Sequence, residues 1–185
     1  MAPTLVHHRF TFDDYDQMIE YGILTENDRV EFIRGEIIDK MPIGDHHAAT
    51  VNRLTRLLIL KVGEAAIVSI QNPIRFADSE PEPDVALYRP RADYYELGKP
   101  RPADVLLVIE VADSTLDFDR EVKRELYAEA GIPEYWIVNL VEGCVEIHRQ
   151  PTPEGVYRSL QTARKGDQLE IASVTGCDVS VDQIL

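Results

Sequence analysis

The sequence lacks the features that mark membrane-spanning, secreted and zinc-binding proteins. Its longest apolar run, residues 105–109, is far shorter than the ~20 residues that a membrane-spanning helix needs. The N-terminus has no basic segment followed by an apolar core, so we expect no secretory signal and a cytoplasmic location. Cys144 and Cys177 lie far apart, which favours two free thiols over a disulfide, and no Cys/His spacing predicts a zinc site.

Positively charged residues are scarce. The chain has 19 Lys and Arg against 33 Asp and Glu, which gives a formal net charge of −14. Tight nonspecific binding to nucleic acid depends on Lys and Arg side chains that release counterions from the phosphates. The composition therefore disfavours such binding. A nucleic-acid partner would need a local basic surface, bridging metal ions, or weak binding.

One predicted loop, 89–101, concentrates part of the positive charge. It contains four basic side chains: Arg89, Arg91, Lys99 and Arg101. Such a loop is one place where an acidic chain can contact a backbone phosphate. Asp93 and Glu96 dilute the charge, however, so a solvated loop is the favoured interpretation.

Hydrophobic periodicity predicts an α/β fold, with a mixed β-sheet flanked by helices in a single domain spanning 1–185. Apolar residues recur at three- and four-residue spacing in helices predicted at 11–22, 45–62 and 117–130, the last capped by Asp117 or Asp119. The continuous apolar run 105–111 indicates a central strand. The other predicted strands are a hairpin at 30–41 that turns at Arg34-Gly35, and runs at 68–76, 84–87, 135–138, 144–149, 157–162 and 168–171.

Two acidic residues stand at the ends of short apolar runs: Asp84 begins one and Glu110 closes another. An ionised carboxylate buried without a partner is so unfavourable that it normally acquires a counter-charge, a metal ion or a proton. If neighbouring strands bring the two together, they suit a hard cation such as Mg²⁺, which prefers carboxylate and water oxygens. The alternative is that each caps a loop or pairs with an arginine, such as Arg75 or Arg89.

Lys123 follows Glu110 on a predicted helix. Its position beside the apolar stripe of Val122 and Leu126 lets the amine point along the sheet edge toward the carboxylates. There it would orient a water or neutralise a developing oxyanion. The alternative is a solvated helix face on which neighbouring glutamates pair with the lysine.

Three further polar residues are weaker candidates. Glu31, in the predicted hairpin, would complete the acidic cluster or lie in solvent. Gln71, on the polar face of its predicted strand, would hydrogen-bond the attacking water or lie on the sheet surface. His47, near the start of a predicted helix, would contact a phosphate or a carboxylate, but its neighbour His46 favours a solvent-exposed pair.

The order of these segments resembles a known family. The segments that carry the resemblance are Glu82-Pro83-Asp84-Val85, 108–115, 119–127 and 130–138, with 29–36 and 44–47 extending it over nearly the whole chain. They are similar to the Uma-type family, bacterial restriction-endonuclease-like proteins within the PD-(D/E)XK nuclease superfamily. Each segment alone is a weak signal, whereas the ordered series is specific.

The resemblance implies a restriction-endonuclease-like mixed sheet and a Mg²⁺-dependent phosphodiesterase site, with Mn²⁺ as the alternative ion. Asp84 and Glu110 would bind the metal, together with the main-chain carbonyl of Val111. The superfamily pattern has a lysine two residues after the glutamate, where this chain has Ala112. The Uma-type members are similar in this, and Lys123 would act instead.

The leading hypothesis is therefore an endonuclease that hydrolyses DNA with the catalytic residues Asp84, Glu110, Lys123, Glu31 and Gln71. The net charge and the missing lysine at Ala112 motivate an alternative, a catalytically inactive nuclease-fold module for binding or assembly. A third possibility is a hydrolase that acts on another phosphorylated or nucleotide substrate. We expect weak binding to nucleic acid, with DNA favoured, no membrane association, and a homodimer because two sites suit the cutting of two strands.

Overall fold

A computed structural model describes residues 7–25 and 27–185. Residues 1–6, which belong to the segment considered for a secretory signal, lie outside the described residues. The helices are α1 (Phe12–Glu20), α2 (Asp45–Val62) and a composite helix α3 at 116–129, made of Leu116–Phe118, Asp119–Lys123 and Arg124–Glu129. The strands are β1 (Val30–Ile33), β2 (Glu36–Asp39), β3 (Ile67–Ser69), β4 (Val85–Tyr88), β5 (Val105–Ala112), β6 (Glu134–Asn139), β7 (Cys144–Pro151), β8 (Tyr157–Ala163), β9 (Gln168–Glu170) and β10 (Asp178–Ser180).

A mixed sheet of six strands in the order β3-β4-β5-β6-β7-β8 forms the centre of the described fold. β5 and β6 are parallel, with Glu110 opposite Ile137, and the other neighbouring strands are antiparallel. A parallel pair needs a crossover connection, which α3 provides. Every residue of β5 and β6 is buried. The predicted mixed sheet flanked by helices is confirmed, and β5 is its predicted central strand.

Apolar side chains cover the sheet on both faces. On one face, Leu54 and Leu58 of α2 share an apolar core with Ile109 of β5. On the other face, Leu126 of α3 shares a core with Val108. Consecutive residues of β5 point to opposite faces, and both faces are covered. The strand is therefore apolar at nearly every position, which explains its continuous run in the sequence.

Near the N-terminus, the predicted capped helix and the predicted hairpin are both present. Thr11 caps α1, because its Oγ1 accepts a hydrogen bond from the Asp14 N–H (3.2 Å) and the Asp14 carboxylate accepts one from the Thr11 N–H (2.8 Å). β1 and β2 pair as an antiparallel hairpin. Its two turn residues, Arg34 and Gly35, both have positive φ, 50° and 78°. This turn geometry has the twist that joins two paired strands.

Two predicted strands differ from the structure. The strand predicted at 68–76 ends early, at Ser69. Gln71 then takes a left-handed conformation with φ of 50°, and Pro73 has no N–H to donate to a neighbouring strand. The strand predicted at 168–171 does not join the main sheet but pairs with β10 in a separate two-stranded sheet. Alternating polarity predicted the extended backbone but not its pairing partner.

The start of α3 also differs from its prediction. The helix begins at Leu116, so Asp117 and Asp119 lie inside it rather than capping it. Asp119–Lys123 forms a π-helical turn, a rare geometry that is frequent at functional sites. Arg120 fixes this turn to the sheet, since its Nε donates to Glu146 Oε1 on β7 (3.1 Å). The crossover helix is therefore held at the turn that carries Lys123.

Both cysteines are buried free thiols, as the favoured interpretation of the sequence states. Burial raises the pKa of Cys144 and of Cys177, so both stay protonated near neutral pH. Among the described residues, no helix combines the length and the apolar character that are needed to cross a membrane.

The Glu146 carboxylate makes the stability of the fold depend on pH. Burial by itself raises the pKa of Glu146, but His148 at 3.9 Å and hydrogen bonds from Arg120 and Asn139 outweigh burial and lower the pKa to about 2. The ionised carboxylate therefore stabilises the fold fully above its ordinary pKa of 4.5. This stabilisation is lost as the pH falls toward 2.

We expect Glu146→Gln to lower the free energy of unfolding at pH 7 by about 2 kcal/mol, because the Arg120 guanidinium loses its buried counter-charge. The difference between variant and wild type should narrow to near zero as the pH falls from 4.5 to about 2. Urea denaturation at a series of pH values measures both effects. Glu170→Gln, at an exposed position on β9, is the matched control. A difference that stays constant over this pH range would contradict the expectation.

Candidate active site

The register between β4 and β5 brings Asp84 and Glu110 together. Val85 pairs with Ile109, so Asp84, just before β4, lies opposite Glu110. The Asp84 N–H donates to Glu110 Oε2 (3.2 Å). The alternative pairing with arginine is wrong: Arg75 pairs with Asp16 and Glu80, and Arg89 Nε donates to the carbonyl of Ala103.

A cavity of about 430 Å³ opens above the two carboxylates. It is lined by the five predicted catalytic residues, which are Glu31, Gln71, Asp84, Glu110 and Lys123. These side chains come from β1, the segment after β3, the start of β4, β5 and α3. The fold therefore gathers them around one space, which we call the candidate site.

Lys123 is the cation at the centre of the candidate site. Its Nζ lies 2.8 Å from Glu110 Oε1 and 3.2 Å from Glu31 Oε1, and its side chain is 8% exposed. Burial lowers the pKa of Lys123, but the charges of Glu110, Glu31 and Asp119 raise it well above its ordinary value. The amine therefore stays charged near neutral pH. The predicted alternative, a solvated helix face, is wrong for this residue.

Glu110 is held in a buried, polar contact. Its Oε1 accepts hydrogen bonds from Lys123 Nζ and from the Tyr127 hydroxyl, each 2.8 Å long. Burial raises the pKa of Glu110, the ammonium of Lys123 opposes this, and the nearby charges of Asp84, Asp119 and Glu31 raise it further. A second cation beside Glu110 would act in the same direction as Lys123 and favour the ionised form.

Asp84 is the more accessible carboxylate and is fixed from three sides. Its Oδ2 accepts the Val111 N–H (2.9 Å) and contacts His47 Nε2 (2.9 Å), while Oδ1 accepts the Gln71 amide (3.3 Å). Burial raises the pKa of Asp84, but the hydrogen bond and charge of His47 outweigh it, and the pKa lies below its ordinary value. Asp84 is therefore ionised when His47 is protonated, and it keeps acceptor capacity on Oδ1.

His47 corrects one prediction from the sequence. The pair His46-His47 favoured two solvent-exposed rings, but only His46 is exposed, and the His47 side chain is 15% exposed beside Asp84. Its hydrogen bond to Asp84 raises the pKa of His47 against the effect of burial. Consecutive residues of a helix point in different directions. One histidine of the pair can therefore line the site while the other contacts water.

The N–H of Val111 points toward the β4 side of β5, where Asp84 lies. In an extended strand, the N–H and C=O of one residue point to the same side, and the Val111 N–H binds Asp84. Continuing the observed register places Pro83 opposite Val111. Proline has no N–H, so it cannot donate to the Val111 carbonyl as another residue would. The carbonyl thus retains acceptor capacity beside the two carboxylates.

Asp119 was interpreted from the sequence as a helix cap, but it lines the candidate site. It is buried on the π-helical turn, and its Oδ2 accepts the Thr115 hydroxyl (2.6 Å). Burial raises the pKa of Asp119 to about 6, against the opposing charge of Lys123. The only signal in the sequence was its spacing of four residues from Lys123, which places both on one side of a helix.

The donor set fits a hard divalent cation that keeps part of its hydration shell. Among the described residues, no cluster of three or more His, Cys, Asp or Glu side chains is arranged to hold a metal ion by itself. Mg²⁺, however, is commonly bound by one or two carboxylates with waters and substrate phosphates completing its shell. Asp84 and Glu110 with the Val111 carbonyl supply oxygen donors of this kind.

Comparisons with known proteins agree with the nuclease resemblance. Residues 12–182 match the model of a protein family described as "Uma2: Putative restriction endonuclease". None of the curated proteins matches the chain. The fold is similar to the crystal structure of "a putative nuclease belonging to DUF820 from Anabaena variabilis ATCC 29413". That match has a TM-score of 0.73 and 16% sequence identity, and it covers 95% of this chain and 97% of the other.

Replacing Lys123 tests whether the buried charges depend on it. We expect Lys123→Met to lower the free energy of unfolding at pH 7 by about 3 kcal/mol, because Glu31 and Glu110 lose their shared cation. Urea denaturation measures the change. Lys61→Met, at an exposed position on α2, is the matched control and should shift stability by less than about 0.5 kcal/mol. Equal stability of the two variants would show that Lys123 does not neutralise the buried acids.

Proposed function

We propose that this chain, which belongs to the Uma2 family, is a divalent-metal-dependent endonuclease that hydrolyses phosphodiester bonds in DNA. The proposal depends on one observation: the Glu110 carboxylate is bound by the Asp84 main chain on one oxygen and by Lys123 Nζ on the other. Two carboxylates and an ammonium thus share one cavity. Metal-assisted hydrolysis of a phosphodiester uses groups of these kinds.

In this proposal, Asp84, Glu110 and the main-chain carbonyl of Val111 bind Mg²⁺ or Mn²⁺. When bound by these groups, the ion would supply Lewis-acid polarisation of the scissile phosphate and a lowered pKa for a coordinated water. His47 and the Val111 N–H hold Oδ2 of Asp84, which fixes the direction of this carboxylate. Loss of a group that orients a metal ligand in this way typically costs about 10- to 100-fold in metal affinity or activity.

Lys123 acts as a fixed cation in this proposal. An ammonium has three donors, and Glu110 and Glu31 accept two of them. The third donor can reach a water or a phosphate oxygen in the cavity. Because its pKa is raised, Lys123 remains charged and does not remove a proton from water. It orients the water and stabilises the negative charge that develops on the phosphate.

Glu31 and Gln71 support these groups. Oε1 of Glu31 accepts both Lys123 Nζ (3.2 Å) and the Glu82 N–H (2.8 Å), so it ties the lysine to the segment before β4. The Gln71 amide lines the same cavity beside Asp84 and can hydrogen-bond the attacking water. The left-handed backbone at Gln71 is a strained conformation of the kind that recurs at functional sites.

The proposed enzyme acts as a single domain spanning 1–185 and is located in the cytoplasm. It forms a homodimer whose two sites cut two strands. Its net charge of −14 predicts weak binding to DNA.

One feature of the candidate site favours the alternative, an inactive nuclease-fold module. Glu110 and Glu31 already share a counter-charge in Lys123, which reduces the need of these buried acids for a metal ion. Asp84 likewise has His47. A protein that had lost hydrolysis could keep this fold for binding or assembly. Cleavage and metal binding separate the two functions.

Cleavage of DNA is the first test. We expect purified wild-type protein with Mg²⁺ or Mn²⁺ to cut plasmid DNA, and Asp84→Asn and Lys123→Met each to reduce the rate at least about 100-fold. Gel electrophoresis of the products over time measures the rates. Asp178→Asn, at an exposed position on β10, is the matched control and should cut like the wild type. Equal cutting by all four proteins would identify a contaminating nuclease and contradict the assignment of the site.

Metal binding is the second test. We expect isothermal titration calorimetry to detect Mn²⁺ binding to the wild type, and Glu110→Gln to weaken it at least about tenfold, because one carboxylate ligand becomes a neutral amide. Glu170→Gln is the control for the loss of one exposed carboxylate. Absence of binding at millimolar Mn²⁺ would contradict the enzyme and favour the inactive module.

A further inference from the structure

A second cavity, of about 400 Å³, concentrates positive charge in this acidic chain. We call it the basic cleft, and it is lined by Arg75, Arg91, Leu97, Gly98, Lys99, Arg101 and Asp104. Four of its seven lining residues are therefore cationic and one is acidic. The loop 89–101 supplies three of the cations, and Arg75 joins them from a segment distant in sequence. Arg89, the remaining basic residue of the loop, binds the carbonyl of Ala103 instead.

Carboxylates beneath the basic cleft hold its cations in place. Glu80 is 4% exposed and pairs with both Arg75 and Lys99, and Asp16 binds the other side of Arg75 (2.7 Å). The Arg75 guanidinium also stacks on Phe12, 3.7 Å from the ring centroid. The buried acid thus fixes two cations, while the Lys99 side chain remains 44% exposed. Cations positioned in advance lose little side-chain entropy when an anion binds.

The other two cations approach the cleft from the loop. Arg91 is paired with Asp93 and lies over the Tyr95 ring, 4.4 Å from its centroid. Arg101 is exposed and makes no ion pair with any residue in 7–25 or 27–185. The main-chain N–H of Arg101 donates to the Asp104 carboxylate (2.8 Å). This hydrogen bond occupies one acceptor position of Asp104, the acidic residue in the lining of the basic cleft. Arg101 is thus the cation most available to a ligand.

The basic cleft and the candidate site both adjoin a third cavity, of about 440 Å³. It shares Lys40, Gln71 and Glu82 with the candidate site and shares Lys99 with the basic cleft. The two sites therefore border one intermediate cavity, whose lining also includes the acids Asp28, Glu80 and Glu82. A polymer with repeating anionic groups could reach the candidate site and the basic cleft at once.

We propose that the basic cleft binds a backbone phosphate of the same nucleic-acid strand whose scissile phosphate lies at Asp84 and Glu110. This inference rests on the proposed function, since it assumes a nucleic-acid substrate in the candidate site. Arginine forks match the oxygens of a phosphate, and phosphate contacts set the register of a nucleic acid without reading its sequence. Three of the four cations are paired with Asp16, Glu80 or Asp93, so Arg101 supplies the uncompensated charge for phosphate binding in this chain of net charge −14.

The test measures binding without metal, so that it is independent of cleavage. Fluorescence anisotropy of a short fluorescein-labelled DNA duplex in EDTA gives Kd over a range of salt concentrations. We expect Arg101→Ala and Lys99→Ala each to raise Kd about fivefold at low salt and to reduce the salt-dependence slope by about 1. Arg158→Ala, at an exposed position on β8, is the matched control and should change neither quantity.

The outcomes separate this inference from the proposed function. The Arg101 side chain pairs with no carboxylate among the described residues, so Arg101→Ala should keep the wild-type melting temperature. Weaker DNA binding by this normally folded variant would support the proposed role of the basic cleft. If Arg101→Ala and Lys99→Ala bind as tightly as Arg158→Ala, or if the wild type does not bind the duplex in EDTA, the inference is overturned. Failure of metal-dependent cleavage by the wild type would instead count against the proposed function.

Discussion

The ammonium of Lys123 lies between two buried carboxylates, Glu31 and Glu110, and a third, Asp119, lies on its own helical turn. Burying these acids without a cation would be strongly unfavourable, so the position of the lysine is constrained as tightly as that of a core residue. The surrounding structure meets this constraint: a π-helical turn places Lys123, and the bond from Arg120 to Glu146 holds that turn against the sheet.

Asp84 and Glu110 differ in their surroundings although they face each other. Glu110 is bound by Lys123 and Tyr127 in a buried contact, which leaves it strongly dependent on nearby positive charge. Asp84 is held by His47 and a main-chain N–H on one oxygen and by the Gln71 amide on the other, and it lines the cavity. Glu110 is thus the more buried of the two acids and Asp84 the more accessible. This asymmetry suits the proposed site, in which both acids would hold an ion beside a substrate.

Parts of the candidate site could be predicted because their signals are short-range. Asp84 and Glu110 stood out as acids beside apolar runs, and Lys123 as an amine beside a helical stripe. His47 was assigned to solvent because a histidine pair looks symmetrical in sequence, whereas a helix turns its two members to different sides. Asp119 was interpreted as a helix cap because aspartate is a common residue at that position. The basic cleft needed Arg75, which no local pattern connects to the loop 89–101.

Local sequence is sufficient for the elements whose causes lie within a few residues: the Thr11 cap, the turn at Arg34-Gly35, and the buried central strand β5. Long-range contacts are needed to fix which strands pair, where β3 ends, and how five distant side chains come to line one cavity. The two groups of features differ in the range of the interactions that produce them. Capping, turn geometry and periodicity act between near neighbours, whereas strand register and the sharing of one buried cation depend on contacts between segments far apart in the chain.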